Sequence, residues 1–138
     1  MNTICKFIGA ACPYGELAGR IGLAVVFLIS GVGKIAGYAG TQGYMESYGV
    51  PGLLLPLVIV LEIGGAVGLI VGWKTRWLAL ALAAFTVLAA LLFHFDFGDG
   101  LQKILFLKNI AIAGGLLVLC CAGAGHFSID RLSKRDNA

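Results

Sequence analysis

The chain has 138 residues, of which 59% are hydrophobic and 12% are charged. Soluble domains carry about a quarter of their residues as charged side chains, so this chain has too few charges to cover a water-exposed surface. Its hydrophobicity also excludes a disordered chain. The ten Lys and Arg residues are scattered between apolar segments, a pattern that argues against nucleic-acid binding. We therefore predict an integral membrane protein, embedded in the lipid bilayer, with residues 1–138 forming one domain.

Four apolar stretches have close to the ~20 residues that a helix needs to cross a bilayer. Backbone polar groups in lipid must be satisfied within their own segment, so each stretch is predicted to be an α-helix. The predicted fold class is an all-α membrane protein, a four-transmembrane-helix antiparallel bundle with a short interfacial helix after the first span. The spans cover residues 17–36, 53–72, 77–93 and 104–123. The interfacial helix covers residues 41–48, with Thr41 as its N-cap and Gly49 as its stop.

The charged residues favour one orientation of this bundle. One side of the predicted topology carries most of the basic residues, and the other carries the acidic residues Glu46, Asp96 and Asp99. By the positive-inside rule, the basic side is cytoplasmic, which predicts a multi-pass protein with both termini in the cytoplasm. The basic residues concerned are Lys6, Arg20, Lys74, Arg76, Arg131, Lys134 and Arg135.

Charged residues inside the spans require an explanation, because a charge in the membrane costs ~3 kcal/mol or more unless it is paired or hydrated. Glu62 lies near the middle of the second span, Lys34 near the end of the first and His94 at the end of the third. Lys108 and Asn109 lie shortly after the start of the fourth span. The antiparallel topology predicts that these residues share the outer half of the bundle. Arg20 lies apart from them, ~21 Å from Lys34 along the first helix.

One interpretation of these groups is structural. Lys34 would extend to the outer headgroups and Arg20 to the inner ones, while Glu62 and Lys108 would form one buried ion pair. The small-residue pattern of Gly64, Gly68 and Gly72 on the second span would seat neighbouring helices. A homodimer through such glycine-rich helix faces is the alternative use of the pattern.

The other interpretation is a polar intramembrane pocket for a quinone or a similar small molecule. In this hypothesis Glu62 and His94 are the catalytic groups and transfer protons. Arg20 is a structural charge at the inner face. The substrate-binding residues are Lys34, Glu62, Lys108 and Asn109.

No motif in the chain indicates a tightly bound cofactor. The adjacent Cys120 and Cys121 are interpreted as small packing residues. His94 and His126 fall at opposite membrane faces, so we predict no metal site. The chain has no phosphate loop, Rossmann fingerprint or nucleophile motif. We expect no covalently bound cofactor, and a quinone is the remaining candidate.

Several short motifs, in their order and spacing, resemble the DoxX family, and the resemblance covers about residues 17–123. The motifs are Leu17-Ala18-Gly19-Arg20-Ile21, the stretch from Phe27 to Lys34, Tyr48-Gly49-Val50-Pro51, Leu61-Glu62-Ile63-Gly64-Gly65 with Gly72, His94-Phe95, and Phe106-Leu107-Lys108-Asn109-Ile110-Ala111 leading into Gly114-Gly115.

This resemblance implies a small four-helix protein of the bacterial inner membrane, linked to quinol oxidase or thiosulfate:quinone oxidoreductase chemistry. It implies an oxidoreductase subunit that needs a redox protein partner, because the chain itself offers no redox centre. It also directs attention to the matching positions Arg20, Lys34, Glu62, His94, Lys108 and Asn109. Two other functions stay open, a transporter or exporter of a small molecule and a non-catalytic membrane scaffold.

Overall fold

The computed structural model describes residues 3–136, including the side chains of residues 9–133. Lys6, Lys134 and Arg135, which contribute to the predicted orientation, lie outside the described side chains. Within residues 3–136, four helices are long and apolar enough to cross a membrane. The helices are α1 (Thr3–Ala36), α2 (Tyr38–Ser47), α3 (Leu55–Val71), α4 (Thr75–Phe93), α5 (Gly100–Ala122) and α6 (Ile129–Asp136), with a 3₁₀ turn at Gly52–Leu54 before α3.

The predicted fold class is confirmed, and the differences concern the ends of helices and one additional helix. The first helix begins at Thr3, well before the predicted span, and passes through Pro13. The C-terminal helix α6 was not predicted. The short helix after the first span begins at Tyr38, so Thr41 is not its N-cap; its hydroxyl donates back to the carbonyl of Gly37 at 3.0 Å. Gly49 follows the end of α2 with a φ of 75°, which agrees with its predicted role as a stop.

The four spanning helices form two closely packed pairs, because α1 packs mainly on α3 and α4 mainly on α5. At Gly31 of α1 an added Cβ would lie 2.6 Å from Cγ1 of Ile63 on α3. Across the pairs, the side chains of Leu82 and Leu78 on α4 occupy the space beside Gly65 and Gly68 of α3. Gly64 was also predicted to seat a neighbouring helix. However, a Cβ added at this position would have open space around it.

The bundle has two ends that differ in packing. We call them the α2 end, where α1 leads into α2 and α4 leads into α5, and the α6 end, which holds the α3–α4 turn and α6. The core cluster lies in the half towards the α6 end. It consists of Ala24, Phe27, Ala66, Leu69, Ala79, Leu82, Ala83, Ala113 and Leu116. Packing is therefore dense in one half, and the helix pairs leave space between them in the other.

Candidate functional site

A cavity of about 600 Å³ lies between the two helix pairs, in the half towards the α2 end. Its volume falls within the ~300–1,000 Å³ typical of small-molecule sites. Leu, Val, Ile and Phe side chains form most of its wall. The polar residues of the wall are Ser30, Lys34, Thr41, Tyr44, Glu62, Thr86, His94, Lys108 and Asn109. The candidate catalytic and substrate-binding residues Lys34, Glu62, His94, Lys108 and Asn109 thus line one cavity, and Arg20 does not.

An ion pair of a half-buried lysine and a buried glutamate joins α1 to α3 at the cavity wall. Lys34 Nζ lies 2.9 Å from Oε2 of Glu62, and the two side chains are 24% and 4% exposed. The same ammonium donates to Glu62 Oε1 at 3.0 Å and to Ser30 Oγ at 2.6 Å. The Ser30 hydroxyl donates to Glu62 Oε1 at 3.1 Å. The carboxylate is therefore held by a cation and a hydroxyl on one face of α1, where residues four apart are neighbours.

The ion-pair partner of Glu62 differs from the one considered in the sequence. Among the described residues Lys34 makes this contact, and Lys108 is an exposed residue of the cavity wall on α5. The reason is the close approach of α1 and α3 at Gly31, which carries Lys34 to the carboxylate. The prediction that Lys34 extends to the headgroups is therefore wrong. The hydroxyl of Ser30 was missed, although its spacing of four residues from Lys34 was visible in the sequence.

His94 follows the last residue of α4 and is linked to α5. Its Nδ1 lies 2.8 Å from Oε1 of Gln102. With the amide oxygen as acceptor, the proton of the neutral imidazole is on Nδ1, and Nε2 is the basic nitrogen. Gln102 was not anticipated, because a single glutamine at a predicted helix start carries no signal of its own. This hydrogen bond gives the imidazole a fixed orientation at the edge of the cavity.

Helix α2 lies over the cavity at its own end of the bundle. Met45 is buried, and the ring of Tyr44 stacks on Phe93 of α4 with 5.6 Å between centroids. Tyr48 approaches the same Phe93 ring at 5.4 Å. Burial, with a contribution from the hydrogen bond to Tyr48, raises the pKa of the Tyr44 phenol, which is therefore neutral at physiological pH. Both tyrosines attach α2 to the end of α4.

Arg20 lies at the opposite end of the bundle and is 2% exposed. Its guanidinium donates to the carbonyl oxygens of Ala124 and Phe127, and to that of Ile70 at 3.3 Å. Ile70 is in the last turn of α3, where helix carbonyls lack partners of their own. The prediction that Arg20 extends into the headgroups is therefore wrong. The side chain is buried and joins α1, α3 and the segment before α6.

Asp130 of α6 completes the same end of the bundle. Its carboxylate accepts hydrogen bonds from the backbone N–H groups of Lys74 at 2.7 Å and Thr75 at 2.9 Å. The carboxylate thus accepts hydrogen bonds from free N–H groups at the start of α4, as an N-cap side chain does. Asp130 lies 55 residues from Thr75 along the chain. No local pattern could have revealed this contact. In return, the Asp130 N–H donates to the carbonyl of Gly72 at 2.9 Å.

Metal ligation finds no support among the described residues, where no group of three or more His, Cys, Asp and Glu side chains could hold an ion. Cys12, Cys120 and Cys121 are free thiols. The polar groups of the cavity wall are ammonium, carboxylate, amide, imidazole and hydroxyl groups.

The fold and the cavity define a class, the small four-helix integral membrane proteins that enclose polar side chains at membrane depth. Within that class, the DoxX family profile matches residues 15–95, and the chain belongs to this family. Arg20, Lys34, Glu62 and His94 lie inside the matched segment, and Lys108 and Asn109 lie beyond it.

Two proteins of Escherichia coli (strain K12) are similar to the chain over most of its length. It is 52% identical to inner membrane protein YqjF over 121 residues, which cover 88% of this chain and 93% of YqjF. It is 38% identical to inner membrane protein YphA over 139 aligned positions, which cover 95% of this chain and 99% of YphA. No solved structure matches the chain. The chain is therefore an integral inner-membrane protein of the DoxX family, as its motifs indicated.

Proposed function

We propose that this protein is a redox-associated membrane subunit whose cavity binds a quinone or a similar small molecule. The observation that carries the proposal is the cavity of about 600 Å³, which has largely apolar walls and collects polar residues of five different helices. A quinone needs an apolar slot for its ring and a few donors for its carbonyl oxygens, which is the usual make-up of a small-molecule site.

The cavity residues would have separate roles in this function. Lys34, Lys108 and Asn109 carry N–H groups, which can donate to carbonyl oxygens of the ligand. Glu62 would accept or release a proton beside them, and His94 would exchange protons with the water at the α2 end. When a quinone becomes a quinol, each carbonyl oxygen gains a proton and the ring gains an electron pair. A redox protein partner would supply that electron pair.

The orientation of the bundle completes the proposal. By the positive-inside rule, the basic residues of the α6 end support a cytoplasmic location for this end and for both termini. His94 and the cavity would then lie in the outer half of the inner membrane. A homodimer through glycine-rich faces such as that of Gly64 stays a prediction.

Binding of a benzoquinone with a short alkyl substituent to the purified protein tests this function. We expect a ligand-dependent rise in melting temperature and saturable binding. Glu62→Gln should weaken binding by about ten- to a hundredfold, since a hydrogen bond to a charged group contributes ~1.5–3 kcal/mol. Glu46→Gln is the matched control, because this glutamate is exposed on α2. An unchanged melting temperature and no saturable binding to the unsubstituted protein would remove the proposal.

Variants of Glu62 and Lys34 separate the other functions. Solute flux into reconstituted vesicles that disappears in Glu62→Gln would indicate a transporter. A scaffold would keep its cellular phenotype when Lys34→Met and Glu62→Leu are combined, because both charges would then be structural.

A further inference from the structure

The cavity is closed along the axis of the bundle. Towards the α6 end it meets the core cluster, in which Ala66, Leu82 and Leu116 are fully buried. Towards the α2 end it meets α2, which is held by the stacking of Tyr44 on Phe93. A molecule that moved along the axis would have to displace one of these elements, so the sides of the bundle are the easier route.

One side of the cavity is open between α3 and α4. Leu57 of α3 and Leu88 and Leu92 of α4 line the cavity, and yet they are 66%, 54% and 42% exposed. A side chain that lines a cavity and is also exposed on a membrane-spanning helix lies where the cavity meets the surrounding lipid. Because α3 and α4 are packed together near their turn, at Gly65 and Gly68, this α3–α4 opening lies towards the α2 end.

The opposite side, between α1 and α5, has a different chemistry. Val26 and Ile29 of α1 line the cavity there and are exposed. Across from them, α5 contributes the exposed Lys108 and the half-buried Asn109. The α1–α5 side therefore presents a cation and an amide, whereas the α3–α4 opening is lined by leucines. Both sides thus carry exposed apolar residues of the cavity wall, and the α1–α5 side adds a cation and an amide to them.

We propose that the ligand is a membrane-soluble amphiphile that reaches the cavity from the bilayer and leaves its hydrocarbon chain in the α3–α4 opening. Its polar head lies against Lys34, Glu62 and Asn109. The polar head gains hydrogen bonds that hydrocarbon cannot offer. The hydrocarbon chain of the ligand loses no favourable contacts, because leucine side chains and lipid tails are equally apolar. This inference rests on the proposed function only in that a quinone with an isoprenoid tail is one such amphiphile.

Photo-crosslinking in phosphatidylcholine vesicles tests the path of the chain. One probe is a benzoquinone with an isoprenoid tail that carries a diazirine near the ring, and a second is a long-chain fatty alcohol with a diazirine at the same distance from its hydroxyl. Labelled sites are mapped by mass spectrometry, and only labelling that an excess of the unlabelled compound removes is counted. We expect such labelling on the segments of α3 and α4 around Leu57, Leu88 and Leu92.

Tryptophan substitutions at the opening and on faces outside the cavity provide a matched comparison. Leu57→Trp and Leu88→Trp together should reduce the competed labelling about tenfold, the effect of ~1.4 kcal/mol. Val60→Trp and Leu91→Trp together add the same bulk to exposed faces of α3 and α4 that do not line the cavity, and they should leave the competed labelling within about twofold of the original value, a change of under ~0.5 kcal/mol. If the protein with Leu57→Trp and Leu88→Trp does not insert into the membrane, the labelled positions of the unsubstituted protein still test the path of the hydrocarbon chain.

The outcomes distinguish this inference from the proposed function. Competed labelling confined to the α1–α5 side, or insensitive to tryptophan at Leu57 and Leu88, overturns the inference and leaves quinone binding intact. Competed labelling of the opening by the fatty alcohol but not by the quinone supports the inference and removes the quinone. An absence of competed labelling with both probes overturns the inference, and binding of the short-chain benzoquinone then decides the function separately.

Discussion

The two halves of the bundle bury charged side chains in different ways. At the α6 end the guanidinium of Arg20 is surrounded by backbone carbonyls, and the adjacent core is filled. Towards the α2 end the carboxylate of Glu62 is held by Lys34 and Ser30 beside an open cavity. A charge that is used to join helix ends needs no space around it. A charge that lies beside a cavity of this size has room to meet a ligand, so the difference separates a structural site from a candidate functional one.

Removing the charge at the packed end should have the largest effect on stability. Arg20→Leu leaves the carbonyls of Ala124, Phe127 and Ile70 without their donors in a buried place, which should lower the free energy of unfolding by about 4 kcal/mol. Unfolding in mild detergent, followed by circular dichroism, measures the change. Arg131→Leu, at an exposed arginine of α6, is the control. An Arg20→Leu protein as stable as the original would contradict the structural role of this end.

Breaking the ion pair at the cavity should cost somewhat less. Lys34→Met leaves the Glu62 carboxylate with only the Ser30 hydroxyl, a loss of about 3 kcal/mol. The double variant Lys34→Met with Glu62→Leu should return to within about 1 kcal/mol of the original, because neither charge is then left unpaired. The same unfolding measurement tests this prediction. A double variant less stable than Lys34→Met alone would show that the unpaired Glu62 carboxylate is not the source of the lost stability. Ligand binding should be lost in both variants.

Adjacent glycines on α3 provide a smaller and sharper comparison. At Gly65 an added Cβ would lie 2.9 Å from Cδ1 of Leu82, so Gly65→Ala should destabilise the bundle by about 1–2 kcal/mol. At Gly64 nothing lies within 4 Å, so Gly64→Ala should be neutral or stabilising. Thermal melting of both variants, prepared in the same detergent, tests the packing of α3 against α4. Equal effects at the two positions would mean that the helices do not meet at Gly65.

The cap from α6 should have the smallest effect. Asp130→Ala leaves the N–H groups of Lys74 and Thr75 without their acceptor and should cost about 1 kcal/mol, as other N-cap losses do. Hydrogen exchange at these amides, measured by mass spectrometry, should accelerate at the start of α4. Arg131→Ala is the neighbouring control on α6. Unchanged exchange in Asp130→Ala would show that α6 does not hold the turn.

Much of the site could be predicted from the sequence because charges inside apolar spans are conspicuous. Depth along a helix follows from the rise per residue, and this was enough to bring Lys34, Glu62, His94, Lys108 and Asn109 to one level of the bundle. The pairing within that level could not be predicted. It depends on which helices approach closely, and the contact of Gly31 with Ile63 selects Lys34 as the partner of Glu62.

The sequence by itself determined the class of this protein, since the cost of placing unpaired backbone groups in lipid makes long apolar stretches helical. It also determined the family, through short motifs in a fixed order. Tertiary structure alone decided that Arg20 is buried on backbone carbonyls, that Asp130 caps a distant helix and that Lys34 is the partner of Glu62. These features depend on side chains far apart in the chain, whose meeting is set by helix packing and has no local pattern to reveal it.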